Sequence, residues 1–245
     1  MQSDNPETRS HCGDMSSHST QNKKRYSRGE WLIPNEPRDS WHTSRALGMA
    51  EKLTPGTFLD VGCATSPLGR HLHKTHWEAH GIEISEAGKV AAEGGVLIHS
   101  FDLAHDWELP ENYFDFIFAG EVIEHVLDTR RFANNLYRVA KPGSAVAITT
   151  PNLTSLENRL RSVIGVHARF MDFGFADEQI GHCRYFTLKK LYELLEKTGF
   201  CNIRVETGNA GLSLTIRGKE LQLPRFLNLL NLGTTLFAVA SKPTK

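Results

Sequence analysis

Two carboxylates and an imidazole lie close together in the chain at Glu121-Val-Ile-Glu124-His125. If a helix begins there, Glu121, Glu124 and His125 fall at i, i+3 and i+4 on one face. Groups so placed could hold a divalent cation such as Mg²⁺, or divide as acid and base for proton transfer. The plainer alternative is structural: two acids at a helix N-terminus, favoured by its dipole, with His125 lining a pocket.

The elements that must position these groups begin upstream. Thr57 to Ser66 reads Thr-Phe-Leu-Asp-Val-Gly-Cys-Ala-Thr-Ser, and Leu68-Gly69-Arg70-His71-Leu72 follows. This pattern predicts a buried parallel strand, a tight turn and a helix start. A turn built from Gly62, Ala64 and Ser66 carries little side-chain bulk, so a ligand can approach the backbone. Backbone N–H groups at the start of the next helix would face that ligand. Trp77 to Ser85 predicts the next strand, ending at Glu83. An acidic residue about 20 positions past a glycine turn is placed to bind a ribose. The alternative is an ordinary strand-end carboxylate facing water.

The rest of the chain alternates. A helix is expected over Ser40 to Leu53, with Ala46, Leu47, Ala50 and Leu53 on one face. A short helix around Glu86 to Glu93 stops at Gly94-Gly95, and Val96 to Asp102 reads as a third strand. Phe116 to Gly120 is a buried fourth strand, and Thr129 to Ala140 an amphipathic helix with Phe132, Leu136 and Val139 inward. Lys141-Pro142-Gly143 reads as a helix stop and turn before a fifth strand, Ala145 to Thr150. Strand–helix alternation of this kind implies parallel strands with right-handed crossovers. Ligands then bind beyond the carboxyl ends of the strands, where Gly62, Glu83, Asp102 and Glu121 would share one rim.

The back third differs. Leu153 to Ile164 predicts an amphipathic helix with Leu156, Leu160, Val163 and Ile164 on one face and Arg159 and Arg161 away from it. Gly165 to Gly181 is irregular and carries Phe170, Met171, Phe173 and Phe175, a length that suggests a functional loop or lid. Thr187 to Thr198 reads as a helix capped by Thr187 and stopped by Gly199. Cys201 to Glu206 and Thr234 to Ala240 read as strands, with a strongly apolar Leu221 to Leu232 between them. The apolar surface of this third could cover the sheet, receive an aromatic or lipid-linked substrate, or rest on a membrane.

Composition bounds the function. The 245 residues suffice for one α/β domain, and 28 basic against 28 acidic residues give zero formal charge. That balance argues against a strongly basic nucleic-acid binder and leaves room for a local basic patch. Cys12, Cys63, Cys183 and Cys201 have no paired spacing, so a reducing cytosol is expected, and Cys183 reads as a buried neighbour rather than a nucleophile. No apolar run approaches the ~20 residues of a membrane span. The N-terminus lacks the apolar core of a signal peptide, and Asp4, Glu7 and Asp14 argue against a transit peptide. Residues 1–28 read as a disordered tail, including the basic run Lys23-Lys24-Arg25. One domain is left over 29–245, with a lid insertion at about 153–186.

Asp60-Val-Gly62-Cys63, Glu83 and the order of elements resemble the class I S-adenosylmethionine-dependent methyltransferases, from Thr57 to Lys242. Two further glycines usual in that motif are Ala64 and Ser66 here. Dinucleotide dehydrogenases compete, but they want a fuller glycine pattern and a different downstream half. The resemblance implies an α/β fold: a Rossmann-like, doubly wound, mostly parallel seven-stranded sheet with helices on both faces and a small lid. It implies S-adenosylmethionine as cofactor, held by Asp60, Gly62, Cys63, Ala64, Glu83, Ile84, Asp102, Leu103, Gly120 and Glu121. Asp102 would accept from the adenine amino group with Leu103 beside the ring, and Asp106 is the alternative. An N-terminal helix would close over the cofactor or merely cover the sheet edge.

The Glu-x-x-Glu-His cluster is similar to that of ubiquinone-biosynthesis O-methyltransferases. Gly181-His182-Cys-Arg-Tyr-Phe-Thr187 is similar to the second histidine motif of small-RNA 2′-hydroxyl methyltransferases. These likenesses imply His125 and His182 as catalytic residues, and Glu121, Glu124, His125 and His182 as a metal set, with Mg²⁺ the candidate ion. Methyltransferases acting on glycans and other acceptors carry the same pieces without metal. The expected activity is methyl transfer to a hydroxyl of a small-molecule, quinone, lipid-linked or glycan acceptor. The alternatives are an RNA 2′-hydroxyl methyltransferase with a metal site and a non-catalytic partner subunit that keeps the fold. Localisation is expected to be cytoplasmic, with peripheral membrane contact open. Oligomeric state is not legible in the sequence.

Overall fold

The computed structural model of the chain describes residues 36–169, 171, 181–208, 213–216, 219–222 and 231–244. The expected tail at 1–28, the phenylalanines Phe170, Phe173 and Phe175, and residues 223–230 of the apolar stretch lie outside the described residues.

Five apolar strands pair in parallel: β1 (Thr57–Val61), β2 (Glu78–Ile82), β3 (Leu97–His99), β4 (Phe114–Gly120) and β5 (Ala140–Pro151). After them come β6 (Cys201–Gly208), an antiparallel hairpin of β7 (Ser213–Ile216) with β8 (Lys219–Gln222), and β9 (Thr235–Ser241). The sheet has seven strands in the order β3-β2-β1-β4-β5-β9-β6, and β9 runs antiparallel to both its neighbours. This is the Rossmann-like, mostly parallel α/β sheet that the sequence implied. The β7–β8 hairpin stands apart from it.

Helices cover both faces. On one lie α1 (Trp41–Ala50), α2 (Pro67–Lys74) and α3 (Gly88–Glu93), which pack Ala46, Leu47, Leu68, Leu72 and Ala91 against Phe58, Phe116 and Phe237. The opposite face carries α4 (Thr129–Val139) and α6 (Leu188–Thr198), whose Phe132, Leu136, Leu191 and Leu195 meet Leu59, Ile117, Ile148 and Leu236. Each fully buried side chain of this size contributes about 1.5–3 kcal/mol. Local chemistry sets the helix ends. Ser40, Asp128 and Thr187 each accept a hydrogen bond from the backbone N–H three residues on, and Gly199 closes α6 at φ +105°.

Three expectations are corrected. α1 ends at Ala50, and Leu53 is exposed rather than part of its buried face. β3 stops at His99, so Asp102 lies three residues beyond it. Lys141-Pro142-Gly143 is no turn between elements, because α4 runs directly into β5. The pairing jumps from Phe114↔Ala140 to Phe116↔Ala145, so these residues bulge out of the ladder, where proline forfeits no sheet hydrogen bond. Gly143 takes φ +82° within that bulge.

α5 (Leu156–Val163) follows β5. The chain returns at 181–187, where the N–H groups of Cys183 and Arg184 both donate to Glu124 O, at 2.9 and 3.0 Å. That return brings His182 to the carboxyl ends of the central strands.

Candidate active site

The turn after β1 is built from three residues of positive φ: Gly62 at +66°, Ala64 at +46° and Ser66 at +44°. A Cβ on Gly62 would lie 2.5 Å from Val122 Cγ2, so glycine is required there by space as well as by conformation. Ala64 and Ser66 stand where further glycines were expected, and each is held by a partner. Ala64 N donates to Glu83 Oε2 at 2.8 Å, and Ser66 Oγ donates to Asp60 Oδ2 at 2.6 Å. Two side-chain anchors thus replace the conformational freedom of the missing glycines.

These anchors give Asp60 and Glu83 a structural task. Asp60 is buried, and burial pushes its carboxyl up to about 7, against the Ser66 hydrogen bond and helped by Glu83. Glu83 is also buried, and its Oε1 accepts Ser85 N at 2.7 Å. With one N–H on each oxygen, the carboxylate keeps a second lone pair on each that can accept a further hydrogen bond. Cys63 is buried against β2, where a Cβ on Gly81 would come within 2.6 Å of its Sγ. Burial pushes its thiol up, so Cys63 offers the rim its backbone rather than its side chain.

Farther along the rim, Ile84 is half-buried beside Glu83, and Leu103 packs against the core. Asp102 Oδ1 accepts Ala104 N at 2.9 Å, an Asx turn that orients the loop after β3. Asp106 is exposed and faces Arg131 Nε at 3.6 Å. Gly62, Glu83, Asp102 and Glu121 follow the carboxyl ends of β1, β2, β3 and β4, which are neighbours in the sheet.

Glu121 does not start an α-helix. It takes φ +54° after Gly120, and a 3₁₀ turn over Ile123–His125 follows. The left-handed residue breaks the expected i, i+3, i+4 register, yet the acids are brought in by another route. Glu121 N donates to both Thr149 O and Thr149 Oγ1 at 3.1 Å, and Thr150 Oγ1 donates to Glu124 Oε2 at 3.0 Å. Glu124 is buried and Glu121 half-buried, and Oε1 of each is a buried atom that lacks a hydrogen-bond donor among the described residues. Burial pushes Glu121 up to about 7 and Glu124 well above its ordinary value, with Glu121 adding to the shift of Glu124. Thr149 and Thr150 were not singled out in the sequence. Their one signal is that they end an apolar strand on the rim.

His125 and His182 meet with ring centroids 4.8 Å apart, edge to face. His125 Nδ1 lies 3.1 Å from Gly181 O, which fixes it as the donor nitrogen and makes Nε2 the acceptor. His182 Nε2 lies 3.9 Å from Glu124 Oε1. One ligating atom each from Glu124, His125 and His182 falls within 4.8 Å of the others, and Glu121 is not among them. A cleft opens from His182 along the end of β5, lined by Asn152, Leu153, Arg169, Arg184 and Tyr185.

Residues 40–205 match a family model described as a methyltransferase domain. Among curated relatives, phosphoethanolamine N-methyltransferase 2 of Caenorhabditis elegans is 23% identical over 180 residues, 69% of this chain and 37% of that protein. Ubiquinone biosynthesis O-methyltransferase of Pseudomonas paraeruginosa is 31% identical over 126 residues, 48% of this chain and 52% of that one. The chain spans 30 to 37% of the length of the first curated relatives it matches. In structure it is similar to Haemonchus contortus phosphoethanolamine N-methyltransferase 2, solved with phosphomonomethylethanolamine and S-adenosylhomocysteine. The TM-score is 0.59 at 20% identity, covering 94% of this chain and 58% of that one. A SAM-dependent methyltransferase from Archaeoglobus fulgidus gives 0.58 at 19% identity, covering 83% and 96%. At these identities the structural likeness speaks for the fold.

Proposed function

The chain belongs to the methyltransferase-domain family, and from that premise we propose that it transfers a methyl group from S-adenosylmethionine to a hydroxyl oxygen of a small-molecule, quinone or glycan acceptor. The relatives' names include both N- and O-methyltransferases. The observation that carries the oxygen reading is the meeting of His125 and His182 beside Glu124 at the end of β4. An amine acceptor needs only a free lone pair, whereas a hydroxyl gains from a base.

The residues fit the cofactor. The Gly62–Ser66 turn leaves backbone room, and Glu83 keeps lone pairs for a diol. Asp102, Leu103 and Ile84 would border the adenosine, with Gly120 and Glu121 closing the floor. When bound, S-adenosylmethionine supplies a methyl already activated on its sulfonium. The chain's own task is then to align the acceptor and manage one proton. His125 Nε2 would take that proton, and Gly181 O would steady the imidazolium through Nδ1. His182 would orient the acceptor from the cleft side. Residues 153–186 would act as the lid.

A second reading is favoured by Glu124 Oε1, a buried oxygen with no hydrogen-bond donor among the described residues, next to two imidazoles. One carboxylate and two imidazoles do not suit Mg²⁺, which asks for oxygen ligands. They suit a transition ion such as Zn²⁺ or Mn²⁺, which would lower the pKa of an acceptor hydroxyl.

Calorimetric titration of S-adenosylhomocysteine, alone and with Mn²⁺, Zn²⁺ or Mg²⁺, precedes a screen of phenol, sugar-hydroxyl and amine acceptors. The expected result is cofactor binding, transfer to a hydroxyl, and an acidic limb in the pH–rate profile, the rate rising as the base loses its proton, that His125→Ala removes. Transfer to amines alone would overturn the oxygen reading. Absence of cofactor binding in calorimetry and in an orthogonal assay would overturn the enzyme reading.

A further inference from the structure

α5 is built inside out. Its one buried residue is Asn158, whose Nδ2 donates to Asn152 O at 3.1 Å and whose Oδ1 accepts Arg169 N at 2.7 Å. Ser155 caps the helix from a buried position, and Ser162 Oγ donates to Asn158 O at 2.9 Å. The polar side of the helix is therefore the side fastened to the protein. The apolar side faces outward: Leu160 is 44% exposed, Val163 83%, Ile164 74% and Val166 39%. These four are half of the eight exposed large hydrophobics among the described residues, and they fall within seven positions. Together they present on the order of a few hundred Å² of apolar surface, the size at which a patch signals an interaction. The expectation that these side chains cover the sheet is not met by the described residues.

The rim of the patch is basic. Between 151 and 169 the single acid is Glu157, against Arg159, Arg161 and Arg169. Glu157 is shared, its carboxylate lying 3.8 Å from Arg161 Nη1 and 3.4 Å from Arg169 Nη1. Arg159 is exposed and donates through Nε to Thr154 O. Apolar residues bordered by arginines match the boundary between acyl chains and anionic headgroups. A second copy docking through the same patch would bring two such basic rims together, which disfavours self-association. No helix among the described residues is long and apolar enough to cross a membrane, so contact would be with the surface.

From this polarity we infer that the α5 face, Leu160 to Val166 with its arginine border, is a docking surface for an anionic lipid bilayer. Arg169 belongs to both the border and the cleft beside His182. Docking would therefore hold the mouth of the candidate site next to the membrane, where a lipid-borne acceptor could enter.

The test is co-sedimentation of the full chain with vesicles of phosphatidylcholine alone and of phosphatidylcholine with phosphatidylglycerol. It needs neither cofactor nor acceptor, so its failure leaves the methyltransferase reading untouched. The wild type is expected to sediment with the anionic vesicles, to do so less with the neutral ones, and to be released by salt. The double substitution Val163→Ser with Ile164→Ser should lower the bound fraction at least tenfold while leaving the melting temperature unchanged. Three results would overturn the inference. One is no sedimentation of the wild type, or sedimentation that the double substitution does not alter. Another is a melting temperature lowered by the double substitution, which would mean that another part of the chain covers the patch. The third is a dimer in solution that the double substitution dissolves, which would assign the face to a second copy.

Discussion

Replacing Asp60 by Asn should make the cofactor-free protein more stable, and only above acidic pH. Asp60 titrates near 3.8 when exposed and near 7 in the folded protein, because burial disfavours its charge. Below about pH 3.8 both states carry the proton, and stability owes nothing to this group. Between the two values the folded protein holds a proton that the unfolded chain has released, so stability falls as pH rises. Above about 7 the loss is complete and constant. Each pH unit is worth about 1.36 kcal/mol, so the full loss is about 4 kcal/mol. Asn keeps an oxygen to accept Ser66 Oγ–H and carries no charge to bury. Urea unfolding followed by tryptophan fluorescence, at about pH 3 and about pH 8, reads the difference. The two proteins should coincide at the acid end. At the alkaline end Asp60→Asn should unfold later by about 1.3–4 M urea, for a slope of about 1–3 kcal/mol/M. A constant offset at both pH values, or a variant weaker than the wild type throughout, would refute the claim that burial of Asp60 is uncompensated.

Gly62→Ala should destabilise by about 1–3 kcal/mol, because it places a Cβ at φ +66° against Val122. Val122→Ala in the same chain should recover the steric part, and a double-mutant thermal unfolding cycle measures how much. Glu83→Ala should weaken S-adenosylhomocysteine at least tenfold in calorimetry, since it removes the proposed ribose acceptor and the Ala64 anchor together; equal affinity would count against both roles. His125→Ala should lower kcat by about 10²–10⁴ while leaving cofactor affinity unchanged, as expected of a base that touches the acceptor alone. A matching loss of cofactor affinity would instead mark His125 as part of the rim's architecture.

Which features were legible follows from what a one-dimensional pattern encodes. Apolar runs and helix stops revealed the order of β1 to β5, and with it the rim shared by Gly62, Glu83, Asp102 and Glu121. The Glu121 register failed because spacing cannot reveal a left-handed φ at a non-glycine residue. Glu124, His125 and His182 come together all the same, with Thr150 reaching Glu124 from β5, while Glu121 stays outside that set. In α5 the periodicity identified which side chains share a face but not which face turns inward. Two hydrogen bonds of the Asn158 side chain decided that, and they depend on Asn152 and Arg169, both outside the helix. Lys141-Pro142-Gly143 looked like a turn because Pro142 and Gly143 each favour one. Within the bulge opposite Phe114 and Phe116 those same preferences are satisfied inside a strand. The hairpin β7–β8 went unread, although Arg217-Gly218 between its strands is a glycine-bearing pair of the kind that links hairpins.

The place of β9 in the sheet sets the timetable of folding on the ribosome. β5 carries Thr149 and Thr150, and its outer edge pairs with β9, which begins at Thr235. Among the described residues β6 has no partner in the sheet except β9. A nascent chain that has emerged past Ser155 can therefore assemble β1 to β5 but must wait for some eighty further residues before that edge is closed. Through this interval the strand bearing the candidate site is an open template for another chain. Truncations or stalls short of β9 are then expected to yield aggregates rather than partly active protein, and early chaperone engagement should matter most for this stage of synthesis.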